Sequence, residues 1–207
     1  MSTNQREFYI GLERASAASV AASAASVAAS GPTRARAVHE TVTAKGAPPA
    51  ACRSGCDHCC HFPVGVRFDE IMLLAATIRA DEELRRRIRR EAEQTERHAW
   101  EELAGRPCPL LINGHCARYD ARPTPCRALR SFDAHACEQA LTGRAPVPRD
   151  EQTWWRGLGA ASLLDDQLGA RELRSALAAT FALEDDADPH EFIAAFKAAR
   201  AVGDGES

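Results

Sequence analysis

Aromatic side chains are scarce in this chain: Phe, Trp and Tyr make up 6% of its 207 residues. A core of useful size must therefore be built mainly from Ala, Leu and Ile, which bury less apolar area each. Long apolar runs are missing as well. None approaches the roughly 18 residues needed to span a bilayer. Met1 to Arg14 is polar, and the Ala/Ser tract that follows lacks Leu, Ile and Phe, so no secretory leader is expected. Charge of one sign is not in excess. A net charge of −3 argues against a general nucleic-acid binder. There is no glycine-rich phosphate or dinucleotide loop and no recognisable Ser/His/Asp arrangement, so nothing marks a second substrate site or an enzymatic reaction. The expectation is a soluble, cytoplasmic, mainly helical protein without nucleic-acid or membrane partners.

What the chain does have is cysteine. Four of its eight cysteines fall in the stretch Cys52-Arg-Ser-Gly-Cys56-Asp-His-Cys59-Cys60, and the other four follow as Cys108, Cys116, Cys126 and Cys137. Thiolate sulfur is soft and prefers zinc, copper(I) or an iron–sulfur cluster to hard cations. Short gaps let one loop wrap one metal centre. Two bland readings compete. An even number of cysteines suits disulfides, but these need an oxidising compartment, and a vicinal pair such as Cys59-Cys60 closes a strained ring. Free core thiols are the other. Metal ligation by most of the eight is the preferred reading, with adjacent cysteines expected to point apart. Zinc takes four tetrahedral ligands and a [4Fe-4S] cluster takes four cysteines, so eight thiols match two sites, or one site with spares. His58, His61 and His115 adjoin cysteines and are secondary ligand candidates, as is His135 near Cys137. His39, His98 and His190 are expected to be exposed or capping. Arg53, Arg122 and Arg127 are close enough in sequence to donate hydrogen bonds to sulfur, or else they are solvated surface.

The order of elements follows from periodicity and punctuation. Residues 15–30 are all Ala, Ser or Val, with Val20 and Val27 one heptad apart. They read as a helix from about Phe8 to Ala29 or as a flexible arm. Gly31-Pro32 is expected to stop that helix, and Gly46-Ala-Pro48-Pro49 to extend the chain. Asp69 can cap a helix with Ile71, Leu74 and Ile78 inward. Asp81 to Ala104 reads as a second helix with Leu84, Ile88, Ala92, Thr95, Ala99 and Leu103 on one face. In it Arg85-Arg86-Arg87, beside Glu82 and Glu83, is an ordinary solvated face. Asn113-Gly114 between Leu111-Ile112 and His115-Cys116 marks a hairpin with a type I′ turn. In that register Cys116 shares a side with Leu111. Cys108 has the opposite parity, so it must precede the ladder to reach Cys116; otherwise the two serve different sites. Pro123 and Pro125 should hold Cys126 rigidly. Asp150 caps a helix with Trp154 and Trp155 at its core and rim. Another helix runs from about Ala170 to Leu183. Asp188-Pro189-His190-Glu191 combines N-cap, first-turn proline and capping box ahead of Phe192, Ile193 and Phe196.

The fold class expected is mainly α: a small helical domain with a short β-hairpin and a cysteine-rich metal-binding core. Residues 1–49 form an N-terminal helix or flexible arm. Residues 50–140 form the cysteine-cluster metal-binding domain. Residues 141–207 form a helical extension packed on it.

The parts Cys52-x3-Cys56-x2-Cys59-Cys60, Cys108-Pro-Leu-Leu, Asn113-Gly-His-Cys116 and Tyr119-x2-Arg122-Pro-x2-Cys126-Arg127 occur in an order that resembles the YkgJ-like cysteine-cluster family, described as a zinc- or iron-chelating domain with a CxxCxxCC signature. The resemblance covers about residues 50–140. It departs in one place, where the first gap is three residues rather than two. It implies a bound zinc or iron. From the thiols themselves the expected ligands are first Cys56, Cys59, Cys60, Cys108, Cys116 and Cys126, then Cys52, then Cys137, around zinc, iron or a [4Fe-4S] cluster. A similar module in flagellin lysine methylases implies the alternative of an iron–sulfur enzyme or subunit. A third alternative is an interaction module with structural zinc and a protein partner.

Overall fold

A computed structural model describes residues 31–42, 50–53, 55–143, 147–164 and 167–202. The tract read as a helix from Phe8 to Ala29 and the Gly46–Pro49 segment lie outside these residues.

The architecture is mostly helical. In chain order the helices are α1 (Gly31–Val42), α2 (Phe68–Ile78), α3 (Glu82–Thr95), α4 (Thr124–Ala128), α5 (Ala134–Ala140), α6 (Glu151–Ala161), α7 (Leu173–Phe181) and α8 (Pro189–Ala198). The strands are β1 (Gly65–Val66), β2 (Leu111–Ile112), β3 (His115–Cys116) and β4 (Arg171–Glu172). Single 3-10 turns span His58–His61, Glu101–Leu103 and Tyr119–Ala121.

The hairpin forms where the turn residues permit it. Asn113 and Gly114 take φ of 51° and 75°, the left-handed pair a type I′ turn requires, and Leu111 pairs with Cys116. A second two-stranded pair was not foreseen. β1 and β4 align Gly65 with Glu172 and Val66 with Arg171, and the Leu173 N–H donates to the Val64 carbonyl at 3.0 Å. Two-residue strands carry no alternation, so no periodicity announced them.

Two apolar clusters hold the helices. The larger joins Ile71, Leu74 and Ile78 of α2 with Leu84 and Ile88 of α3, Leu173 and Leu177 of α7 and Phe196 of α8. Each such side chain contributes roughly 1.5–3 kcal/mol on burial. The smaller joins Val38 and Val42 of α1, Ala128 of α4, and Ala160 and Leu164 at the end of α6, with Trp154 against it and Trp155 at the exposed rim. Helix α4 sits between them. Its Ala128 enters the smaller cluster and its Cys126 packs on the larger.

Several local readings hold. Asp150 caps α6, and Asp188 with Glu191 forms the capping box of α8; Asp81, read as the first helical residue, is the N-cap of α3 and accepts from the Leu84 N–H at 3.0 Å. Others change. A helix not foreseen, α1, opens at Gly31-Pro32, where a proline in the first turn surrenders only an N–H that has no intrahelical partner. Asp69 is not the cap of α2. It lies in the first turn, buried, and pairs with Arg34 Nε at 2.7 Å, while Arg67 occupies the cap position. The helix read through Ala104 ends at Thr95. There the Arg200 guanidinium bonds the carbonyls of Thr95 and Glu96, and the chain resumes as the 3-10 turn ending at buried Leu103. In the Arg85–Arg87 run only Arg86 is exposed: Arg87 donates to the Leu111 carbonyl at 2.9 Å and Arg85 lies over the Phe181 ring.

Candidate metal centre

The cysteines arrive on four pieces of structure. Cys52 and Cys56 belong to the loop ahead of the 3-10 turn that carries Cys59 and Cys60. Cys108 stands just before the hairpin and Cys116 at the end of its second strand. Cys126 is inside α4 and Cys137 inside α5. None of the eight is in a disulfide.

Backbone bonds tie the pieces. The Cys108 N–H donates to the Cys60 carbonyl at 2.7 Å, and the Gly105 N–H to the His61 carbonyl at 2.8 Å. The segment preceding the hairpin therefore runs against the 3-10 turn, although about fifty residues separate them in the chain. The ladder starts at Leu111, so Cys108 lies outside it, as parity demanded. Cys108, Cys116 and Cys126 all pack against the larger apolar cluster.

Electrostatics shows which sulfurs are neighbours. Burial, then a neighbouring Cys116, pushes the Cys108 thiol up to about 12, although the residue keeps some accessible surface. Burial also raises Cys126 well above the ordinary thiol value, reinforced by Cys108, Cys59 and Cys116. Cys116 is raised by burial and by Cys59. Cys59 is raised most directly by a hydrogen bond with the Cys60 side chain, then by burial. The adjacent sulfurs therefore touch instead of pointing apart, because the tight 3-10 turn at 58–61 brings both to one side. Cys137 is raised by burial and then by Cys52, Cys56 and Cys59.

Two neighbourhoods result. One holds Cys108, Cys116 and Cys126. The other holds Cys52, Cys56 and Cys137. Cys59 faces both.

Compensating donors are present. The Leu110 N–H bonds the Cys108 sulfur and the Arg118 N–H bonds the Cys116 sulfur, both two residues on, and both bonds favour thiolate. Arg122 stacks on the Tyr119 ring at 3.6 Å and its charge lowers Cys59 and Cys116. Arg127 instead bonds the carbonyls of Arg122 and Asp120. A soft donor set with amide N–H groups on sulfur and a guanidinium charge nearby fits a thiophilic metal. As placed, however, no three His, Cys, Asp or Glu side chains among the described residues close on one common centre.

The histidines divide. His58 lines a cleft with Cys52 and Cys56, His61 Nδ1 is 3.1 Å from the Asp57 carbonyl, and His115 and His135 are exposed. His39, expected at the surface, is buried on α1 with Nε2 3.2 Å from Glu70 Oε1. Glu70 also accepts from the Thr124 N–H at 2.6 Å, so it anchors the start of the Cys126 helix. Burial alone would raise this carboxyl, but hydrogen bonds from His39, Thr124 and Arg67 outweigh it and hold the group below its ordinary value.

Arg174 is the second support that sequence reading missed. It is 1% exposed, pairs with Glu172 at 3.0 Å, and donates to the carbonyls of Arg106 and Pro107, immediately before Cys108. Its position inside α7 gave no signal, since an arginine in a helix ordinarily reads as surface.

Fold and site together define a helical cysteine-cluster domain. Residues 51–145 match the family model described as "CxxCxxCC: Putative zinc- or iron-chelating domain". No curated protein and no solved structure matches the chain. Among the described residues, no helix is long and apolar enough to cross a membrane.

Proposed function

We propose that residues 51–145 bind zinc or iron through clustered cysteine thiolates, with Cys59, Cys60, Cys108, Cys116 and Cys126 as the leading ligands and Cys52, Cys56 and Cys137 beside them. The observation that supports this reading is that Cys108, Cys116 and Cys126, from the hairpin segment and α4, pack on one apolar cluster, with Cys59 of the 58–61 turn near enough to raise Cys126. The N–H donors at Cys108 and Cys116 support it, since they stabilise thiolate and set its direction. The buried sulfurs join segments distant in sequence, so a bound metal adds to folding stability.

Protein purified without oxygen is expected to hold a defined amount of zinc or iron by elemental analysis. A colourless zinc-loaded protein makes the centre a structural thiolate site. An absorption band at roughly 400 nm makes it an iron–sulfur centre. Cys108→Ser with Cys126→Ser is expected to abolish the bound metal. Freshly folded protein free of both metals would refute the proposal.

A further inference from the structure

The loop ahead of the 3-10 turn runs beside the segment between α4 and α5. The Ala51 N–H donates to the Ser131 carbonyl at 2.8 Å, and the Ser131 N–H donates to Cys52 Sγ at 3.4 Å. The Ser131 side chain hydrogen-bonds Cys137. Two sulfurs far apart in sequence are therefore held against one residue. Asp133, whose N–H bonds the Ser131 hydroxyl at 3.1 Å, caps α5 and fixes where that helix presents Cys137. Both cysteines line one cleft of about 20 Å³, room for about one water.

The two differ in access. Cys52 is exposed and Cys137 is buried. An exposed thiol backed by a sheltered one suits oxidation in two steps: the first sulfur meets the oxidant and the second resolves the product. The other thiols are less suited. Cys108, Cys116 and Cys126 pack against the larger apolar cluster, each less exposed than Cys52. Cys59 and Cys60 are adjacent in sequence, and a bond between them closes a strained ring. Cys56 is half-buried in the same cleft, but its charge acts on Cys137 less than that of Cys52 does. Burial disfavours the Cys137 thiolate, and the bond from Ser131 opposes that.

We propose that Cys52 and Cys137 form an oxidative modification site, in which a peroxide joins them as a disulfide beside Ser131. In the first step the Cys52 sulfur attacks one peroxide oxygen. An S–O bond forms, the O–O bond breaks, and the departing oxygen leaves as water with the thiol proton, giving the sulfenic acid of Cys52. In the second step the Cys137 sulfur attacks the Cys52 sulfur. The S–S bond forms, the S–O bond breaks, and the hydroxyl leaves as water with the Cys137 proton. The two sulfurs lose two electrons in all, and the peroxide takes them. A thiol reductant reverses the bond. Once formed, it pins the Cys52 loop to α5 and withdraws two sulfurs from those available to an ion. The chemistry needs two neighbouring sulfurs and no bound ion, so it stands apart from the metal-binding reading.

The test treats the full chain, purified without oxygen, with hydrogen peroxide. A tryptic digest made without reductant is then read by mass spectrometry. Cleavage after Arg53 separates Cys52 from Cys56, and cleavage after Arg130 separates Cys137 from Cys126. The expected first product joins peptide 46–53 to peptide 131–144, lighter by two hydrogens, and dithiothreitol parts them. Cys137→Ser is expected to remove this product and to drive Cys52 on to the sulfinic acid. The native protein alone decides the matter if that variant fails to fold. A first disulfide between other cysteines, oxidation of Cys52 without the crosslink, or no reaction would overturn the proposal. Zinc and iron measured on the same samples keep the two readings apart. Metal-loaded protein that forms no crosslink defeats this inference alone, and metal-free protein that forms it defeats the metal-binding reading alone.

Discussion

The backbone N–H of Ser131 donates to the sulfur of Cys52 across 3.4 Å, although the two residues are 79 positions apart. The same serine hydrogen-bonds Cys137 and shares its hydroxyl with the backbone of Asp133. One small buried residue thus sets the position of thiols from the N-terminal loop and from α5. Its effect is to convert two cysteines without a sequence relationship into two walls of one cleft.

Ser131→Ala keeps the N–H to Cys52 and removes the hydroxyl. Loss of a supporting hydrogen bond of this kind is expected to weaken metal binding by the chain by about 10–100-fold if Cys52 or Cys137 is a ligand. Competition titration against a chelator measures this.

Arg174 supports the buried side. Arg174→Met leaves Glu172 charged and without its cation in a site 1% exposed. A cost of about 3–5 kcal/mol is expected, because a broken buried pair is far worse than none. The paired change Glu172→Gln with Arg174→Met should recover part of it. Urea unfolding of the three variants closes the cycle. Recovery will be incomplete, since Glu172 also caps Ser175 and Arg174 holds the carbonyls before Cys108.

Glu70 predicts the response to acid. It faces His39 from α1 and Thr124 of α4, with the Arg67 N–H below, and these bonds hold its carboxyl below the ordinary 4.5. A depressed folded-state value means that the stabilisation is complete above pH 4.5 and disappears as pH falls through the folded value. Stability measured by denaturant should therefore drop below that pH. Glu70→Gln should flatten the acid limb and cost about 1–3 kcal/mol at neutral pH, through poorer satisfaction of the buried donors.

Gly157 allows α6 to lie against α4. A Cβ there would overlap the Cβ of Ala128. Helix propensity alone favours alanine by about 1 kcal/mol, yet Gly157→Ala is expected to destabilise by about 1–3 kcal/mol because the two backbones must separate. Thermal melting gives the sign directly. A gain in stability would show that the helices can part without cost.

The particular elements show which features the sequence exposes. Asn113-Gly114 is a local instruction, since only a few residue types tolerate two successive left-handed conformations, and the hairpin appears where they stand. Asp81, Asp150 and Asp188 are equally local, as a cap needs only the next turn of its own helix. The end of α3 is not local. Its pattern runs on past Thr95, and the helix stops where Arg200, from the far end of the chain, binds its carbonyls. His39 is similar: nothing beside it in sequence reveals that Glu70 waits in the core.

By itself the sequence determined the chemistry available: eight thiols, their spacing, the hairpin that carries Cys116 and the helices around it. Residue type and short-range backbone preference suffice for that. The tertiary structure alone decided which sulfurs are neighbours, that Cys59 and Cys60 touch, that Cys52 and Cys137 share Ser131, and that Arg174 and Glu70 hold the segments in place. Those are contacts between residues tens of positions apart. Their pairing follows from how helices pack in three dimensions, which leaves no period along the chain.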